Sequence, residues 1–366
     1  MDTHGAGSRR PVRCLLIAEY TIGHVPYVDG LDRAARRRGD VMLKVLRLHQ
    51  DSLGRLARIP GAENWSLRGS VQARRRSTES WGASDVVLVH TQTVGLLLED
   101  RMRRTPTWIS SDATPRNLDE VGDAYAHRVG APAVELAKRA IVRRAYRAAE
   151  GVVAWSSWVE NSLLRDYGVR SERIHVVRPG AALPAEADAR PRDRRPVRLL
   201  FVGGDFRRKG GEDLLAAFRL LRGEVELDVV TRTDVRPEPG VRVHQGLRPG
   251  AQALLELYRQ ADVAVLPTRG DASPYAVVEA MGYALPVVTT YVGAVAEAVQ
   301  DGATGLLVPP GDHAALHAAL QHLVDRADVR AAFGEAGRAR AVERYDGDRN
   351  ADRVLDLLCA SARRQT

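Results

Sequence analysis

The feature that most limits what this chain can become is a recurring beat. A short apolar run, rich in β-branched residues, gives way to a stretch with helical spacing, and then another apolar run follows. Before residue 180 the runs read VRCLLIAEY, VMLKVLRL, DVVLVH, TPTWIS, GVVAW and RIHVVRP. After residue 196 they read VRLLFVGG, VELDVV, VRVHQG, DVAVLP, PVVTT and GLLVP. Patterns such as GEDLLAAFRLL and AALHAALQHLV lie between them. That alternation predicts parallel α/β units. At 366 residues the chain exceeds what one core usually holds, so two domains are expected. The stretch AALPAEADARPRDRRP, rich in Pro, Ala and charge without periodicity, reads as a linker. The expected division is a first domain over 1–183, a linker over 184–196, a second domain over 197–345 and a closing segment over 346–366. Two such domains would face each other across a cleft, with the strand-end loops of both pointing into it.

Charge and composition narrow the partners. Residues 1–183 hold 29 Lys plus Arg against 20 Asp plus Glu, a surplus of 9, whereas 184–366 hold 25 against 26. The surplus gathers in Arg36-Arg37-Arg38, Arg74-Arg75-Arg76 and Arg101 to Arg104. Such patches suit an anionic membrane surface, a phosphorylated substrate or simply solvent. With aromatics at 5% and no nucleic-acid motif, nucleic acid is not an expected partner. Residues 52–77 mix Leu53, Leu56, Ile59 and Trp65 with basic residues, which fits either an acceptor loop resting on anionic lipid or a basic surface loop. No apolar run has membrane-span length, and CLLIA is too short for a signal-peptide core. Cys14 and Cys359 make no disulfide framework. A cytoplasmic protein, peripheral at most to the inner membrane face, is the expectation.

Two loops carry chemistry. In FVGGDFRRKGGEDLLAAF an apolar strand ends in Gly203-Gly204, followed by Arg207-Arg208-Lys209 and Gly210-Gly211, and then by a helix. Glycines admit close backbone approach, a helix N-terminus offers free N–H groups to an anion, and the cations would neutralise phosphate. The chain has three lysines against 51 arginines, and one of the three is Lys209. The second loop is RGDASPYAVVEAMGYALPVV. Ser273 suits an N-cap and Pro274 the first helical position. Glu279 lies in the second turn among apolar neighbours, so its carboxylate needs a partner, and a vicinal diol is a good one. Asp271, eight positions earlier, would lie near the phosphates and reach a different set of hydroxyls. The alternatives are a buried ion-pair partner for Glu279 and a turn residue for Asp271.

The order Asp271…Glu279-Ala280-Met281, Leu285-Pro286-Val287-Val288, Gly293, Glu297 and DGATGLLVPPGD resembles the retaining glycosyltransferases of family 4. The likeness runs from Phe201 to Asp312; Gly23-His24 and WSSWVENSLLRDYGVRSERIHVVRPG carry a weaker one in the first half. It implies the GT-B fold, two Rossmann-like domains with a last helix that crosses back to the first. It implies further that Glu279 holds the ribose of a nucleotide-sugar and that Arg208 and Lys209 bind its diphosphate, beside Gly203 and Gly204. Asp271 would hold the donor sugar, helped by the backbone of Ala272, Ser273, Pro274 and Tyr275. Gly23 would let the first domain approach the phosphates. His90 resembles a histidine that some members place beside the reacting sugar; the alternative is a plain strand-end histidine.

Three positions depart from the family pattern. Asp271 stands for a Glu, Gly204 for a frequent Arg, and Pro274 for a frequent Gly, which removes an N–H donor. The implied activity is transfer of a sugar, with retention, from a UDP- or GDP-sugar to an acceptor hydroxyl on a small molecule, a saccharide or a lipid-linked glycan. No obligatory divalent ion is expected, since no carboxylate cluster has metal spacing. The alternatives are an epimerase-like enzyme of sugar nucleotides and a catalytically silent nucleotide-sugar-binding module.

Overall fold

A computed structural model describes residues 10–21, 23–50, 64–125, 129–186, 195–272 and 275–365. The described residues form two six-stranded sheets. The first comprises β1 (Val12–Glu19), β2 (Val41–Leu48), β3 (Val86–His90), β4 (Thr107–Ser111), β5 (Gly151–Ala154) and β6 (Ile174–Val176), in the order β2-β1-β3-β4-β5-β6. The second comprises β7 (Val197–Val202), β8 (Val225–Val230), β9 (Val241–His244), β10 (Val263–Leu266), β11 (Val287–Thr290) and β12 (Gly305–Val308), in the order β12-β11-β10-β7-β8-β9. Every pairing is parallel. Each of the twelve apolar runs forms one strand.

Burial follows from the parallel geometry. Helices cover both faces of a parallel sheet, so its central strands are apolar throughout. Strands β3, β5, β10 and β11 are buried at every position, whereas the edge strands β2 and β9 keep exposed polar residues. The period of two shows in β1: Cys14, Leu16 and Ala18 enter the cluster on one face, Leu15 and Ile17 the cluster on the other. Cys14 and Cys359, from opposite ends of the chain, meet in the same cluster as buried free thiols.

The helix Gly347–Arg363 explains that meeting. It carries Ala351, Val354, Leu355 and Leu358 onto the core of the first sheet. The two connections between the domains lie against each other. Ala181 N donates to Tyr345 O at 3.1 Å, and Gly347 N donates to Ala181 O at 3.0 Å. A Cβ on Gly180 would sit 2.4 Å from Gly347 N, so only a glycine lets the two strands cross this closely.

Several of the first-domain arginines are paired in the structure, two of them with this helix. Arg37 pairs with Asp348 at 2.9 Å and Arg38 with Asp356 at 2.7 Å. Arg74 meets Asp100 at 2.6 Å, and Arg103 meets Glu99. The helix carries three Asp and three Arg, so it pairs individual arginines of the first domain without lowering that domain's net charge. Of the loop over 52–77, Leu53, Leu56 and Ile59 lie outside the described residues; Trp65 donates Nε1 to Glu19 at 2.8 Å. Among the described residues no helix is long and apolar enough to cross a membrane.

Candidate active site

The switch point of each sheet, where the strand order reverses, falls between β1 and β3 in the first domain and between β7 and β10 in the second. Loops leaving such a point diverge and open a crevice at the carboxyl ends of the strands. Here the two crevices face one another and enclose a cleft of about 720 Å³. Gly23, His24, Asp112, Tyr125 and Trp155 line its first-domain wall. Gly203, Gly204, Arg208, Lys209, Arg232, Asp271, Ala272, Tyr275 and Glu279 line the opposite wall.

The loop after β7 sets the cations. Gly210 caps the helix Gly211–Leu220 with φ of +77°, and a Cβ there would lie 1.9 Å from Pro267 O. Both facts demand glycine and fix where the preceding Arg208 and Lys209 project. Lys209 forms an ion pair with Asp271, both side chains being largely buried. Burial pulls the Lys209 ammonium below the usual lysine value; Asp271 opposes that shift and Arg208 adds to it. Arg208 reaches across the cleft. Its Nη1 donates to Tyr125 Oη at 3.1 Å and to Gly270 O at 2.8 Å, and its guanidinium lies 4.6 Å from the centre of the Tyr125 ring.

Asp271 is held from behind as well as in front. A Cβ on Gly293 would lie 2.2 Å from Asp271 O, and Gly293 has φ of +57°. The loop before β11's following helix therefore packs directly on the backbone that carries the carboxylate. Glu279 stands on the helix Tyr275–Gly282 and accepts a hydrogen bond from Tyr258 Oη at 2.8 Å. Tyr258 is stacked on Tyr283, with ring centres 5.4 Å apart. Burial raises the Glu279 carboxyl above its usual value, and the Tyr258 hydrogen bond offsets part of that. The Tyr275 hydroxyl is buried at the cleft without a hydrogen-bond partner among the described residues. Ser273 and Pro274 lie outside the described residues.

The first-domain wall differs from the sequence expectation in one respect. His90 ends β3 but is fully buried, stacked on Trp155 at 5.1 Å and edge-on to His24 at 4.6 Å. Neither of its ring nitrogens has a hydrogen-bond partner among the described residues, and burial holds its pKa well below the usual histidine value. The imidazole at the surface of the cleft is that of His24, next to Gly23. His24 Nε2 lies 3.2 Å from Asp112 Oδ2, and its Nδ1 lies 3.3 Å from Thr21 Oγ1. Burial disfavours its charge, but Asp112 and Glu19 outweigh burial and raise its pKa. No atom lies within 4 Å of a Cβ placed on Gly23, so any side chain there would project freely. His24 was noted from sequence only beside Gly23, with no role assigned; Asp112, Tyr125, Trp155, Arg232 and Tyr258 were given none either. Asp112 and Trp155 directly follow the last residues of β4 and β5, the position at which parallel sheets place ligand-facing groups.

The site is thus a polar, part-cationic crevice with an apolar end made by Val202, Val230, Leu247, Pro249 and Leu254. Among the described residues, no group of three or more His, Cys, Asp or Glu could hold a metal ion.

Comparison with known proteins agrees with the architecture. The alpha-maltose-1-phosphate synthase of Mycolicibacterium smegmatis is 29% identical over 251 residues, 59% of this chain and 65% of the relative. The D-inositol 3-phosphate glycosyltransferase of Xylanimonas cellulosilytica is 30% identical over 245 residues, 60% of this chain and 58% of the relative. The chain therefore spans between half and two thirds of the length of these curated relatives. Among solved structures, that of Anabaena HepE in complex with UDP-glucose superposes with a TM-score of 0.68 at 16% identity, covering 95% of this chain and 99% of the other. A family model described as Glycosyltransferase Family 4 matches residues 27–183, and one described as Glycosyl transferases group 1 matches residues 196–326. With both domains matched in order and both sheets in place, the chain belongs to the family 4 glycosyltransferases of GT-B fold.

Proposed function

We propose that the protein transfers a sugar from a nucleotide-sugar, a UDP- or GDP-sugar, to an acceptor hydroxyl with retention at the anomeric carbon. One observation carries the reading: the strand-end cleft sets Arg208, Lys209, Asp271 and Glu279 of one domain opposite the His24–Asp112 pair of the other. Glu279, with one oxygen held by Tyr258, offers the other to a ribose diol. The apolar end beyond it suits a base. Asp271, braced by Lys209 and Gly293, suits the hydroxyls of the donor sugar. UDP-glucose in the HepE structure supports a donor of this kind.

In the reaction, the bond from the anomeric carbon to the β-phosphate oxygen breaks. The acceptor oxygen bonds to that carbon from the same face, and its proton passes to the departing phosphate oxygen. Negative charge grows on the diphosphate as it leaves, so cations and helix N–H groups already aimed at it lower the barrier. Closure of the two domains excludes water that would otherwise hydrolyse the donor. The acceptor is a small molecule, a saccharide or a lipid-linked glycan, held by the first-domain wall.

The test is calorimetry with UDP, GDP and their sugars, followed by mass spectrometry of products from candidate acceptors and NMR of the new anomeric bond. Glu279→Ala and Lys209→Ala should each weaken donor binding. Unchanged affinity in both variants would refute the site assignment, and an inverted anomeric bond would refute retention.

A further inference from the structure

Four cationic side chains line the cleft: Arg208, Lys209, Arg232 and Arg248. Two of them are already committed within the protein. Lys209 pairs with Asp271, and Arg208 lies 3.4 Å from Asp205 while donating to Tyr125 and Gly270. Two cations set against two carboxylates leave that corner without net charge. A nucleoside diphosphate brings at least two negative charges, which a neutral corner does not offset. The positive charge that remains belongs to Arg232 and Arg248, whose guanidinium groups have no hydrogen-bond or ion-pair partner among the described residues.

Arg232 is the better placed of the two. It follows the last residues of β8, whose neighbour in the sheet is β7. Gly203 N donates to Val230 O at 2.9 Å, and Arg232 N donates to Gly204 O at 3.3 Å, so the two strand-end loops are tied together. A Cβ on Gly204 would lie 2.8 Å from Arg232 Nε and 3.1 Å from Nη2. The guanidinium therefore occupies the space that a side chain at 204 would need. The missing side chain is what lets an arginine from the next strand lie over the end of β7. Both arginines are exposed, so what distinguishes Arg232 is the seat that Gly204 gives its guanidinium beside the end of β7.

We infer that Arg232, seated over Gly204, is a diphosphate-binding residue of the donor site, supplying the charge that Arg208 and Lys209 have spent on Asp205 and Asp271. The inference rests on the donor-site reading above. A fork of N–H donors from Arg232 suits two phosphate oxygens at once.

The experiment measures binding of UDP, GDP, ADP and the corresponding nucleosides to the full chain by calorimetry or ligand NMR. Arg232→Ala should weaken the preferred diphosphate about 10- to 100-fold, the loss of a hydrogen bond to a charged group, and leave its nucleoside unchanged. Arg248→Ala should have a smaller effect. Gly204→Arg, placed in the Arg232→Ala background, should recover most of the loss, because the new guanidinium fills the vacated place. Equal diphosphate affinity in Arg232→Ala and wild type overturns the inference and leaves the donor site standing. So does an equal loss for nucleoside and diphosphate, a larger effect from Arg248→Ala, or no recovery in the double variant. Wild-type protein that binds none of the three diphosphates overturns both this inference and the donor-site reading.

Discussion

His24 Nε2 and Asp112 Oδ2 stand 3.2 Å apart at the first-domain wall of the cleft, each on a loop that follows a different strand. The pair stabilises its charged form from both sides. Burial works against the charge on each partner, but their mutual attraction raises the His24 pKa and holds that of Asp112 below the usual carboxylate range. A raised histidine contributes stability that is complete below its unfolded value and is lost as pH rises through the folded value. A depressed aspartate contributes above its unfolded value, and that contribution is lost as pH falls through the folded one. The pair is therefore most stabilising in the mildly acidic window between the two.

If the proposed donor diphosphate lies opposite His24, the imidazolium should make the rate fall as pH rises through its raised pKa. Asp112→Asn removes the counter-charge, so the alkaline limb of kcat/KM should move to lower pH, by about one unit for a neighbouring charge of this kind. A limb that stays in place in Asp112→Asn would show that another group sets it.

The Lys209–Asp271 pair should behave as one unit. Lys209→Ala leaves the Asp271 carboxylate largely buried without its cation. The expected cost is about 2–3 kcal/mol, less than for a fully enclosed pair because the cleft admits water. Asp271→Asn together with Lys209→Met leaves no uncompensated charge and should cost less than Lys209→Ala alone. Chemical denaturation of wild type, Lys209→Ala, Lys209→Met, Asp271→Asn and the Asp271→Asn/Lys209→Met double variant measures this. A double variant as unstable as the sum of the two singles would show that the groups do not interact.

Glu297 is a latch between the domains. Its carboxylate accepts from Ser157 N at 3.0 Å and Trp158 N at 2.7 Å, at the start of the helix Ser157–Arg165, and meets Arg178 at 3.2 Å. All three donors belong to the first domain, while Glu297 stands on the short helix Val295–Ala298 of the second. Glu297→Ala should let the domains open, raising the radius of gyration in solution scattering and weakening donor binding about tenfold, the worth of one charge-assisted hydrogen bond. Unchanged scattering with full affinity would reduce the contact to an ordinary surface pair.

Much of this was legible in the sequence, for reasons particular to parallel sheets. All twelve strands are apolar runs, most of them set apart by helical patterns, so the hydrophobic pattern located them. Lys209, Asp271 and Glu279 were legible because glycines and a strand-to-helix turn frame them. His90 misled because its place at a strand end was visible while Trp155 and His24, which bury it, arrive from other strands. The His24–Asp112 pair joins residues 88 apart in sequence, and Arg232 reaches the site only because Gly204 leaves room. Pairings between loops of different strands carry no local signal. The partners of Arg37 and Arg38 were hidden for the same reason, since Asp348 and Asp356 return to the first domain on a helix from the far end of the chain.

Two left-handed glycines separate backbone cost from site damage. Gly293 has φ of +57° and Gly302 has φ of +69°. An alanine at either position pays the same conformational penalty, about 1–2 kcal/mol. At Gly302 nothing lies within 4 Å of the new Cβ, so the penalty should be the whole effect. At Gly293 the Cβ would meet Asp271 O at 2.2 Å, and that backbone must move with its carboxylate. Under the proposed role of Asp271 at the donor sugar, a shift of that size should cost about 100-fold in rate. Gly302→Ala should therefore lower the thermal midpoint and leave kcat near wild type, whereas Gly293→Ala should lower both. Equal kcat in the two variants would mean that the position of Asp271 does not limit turnover.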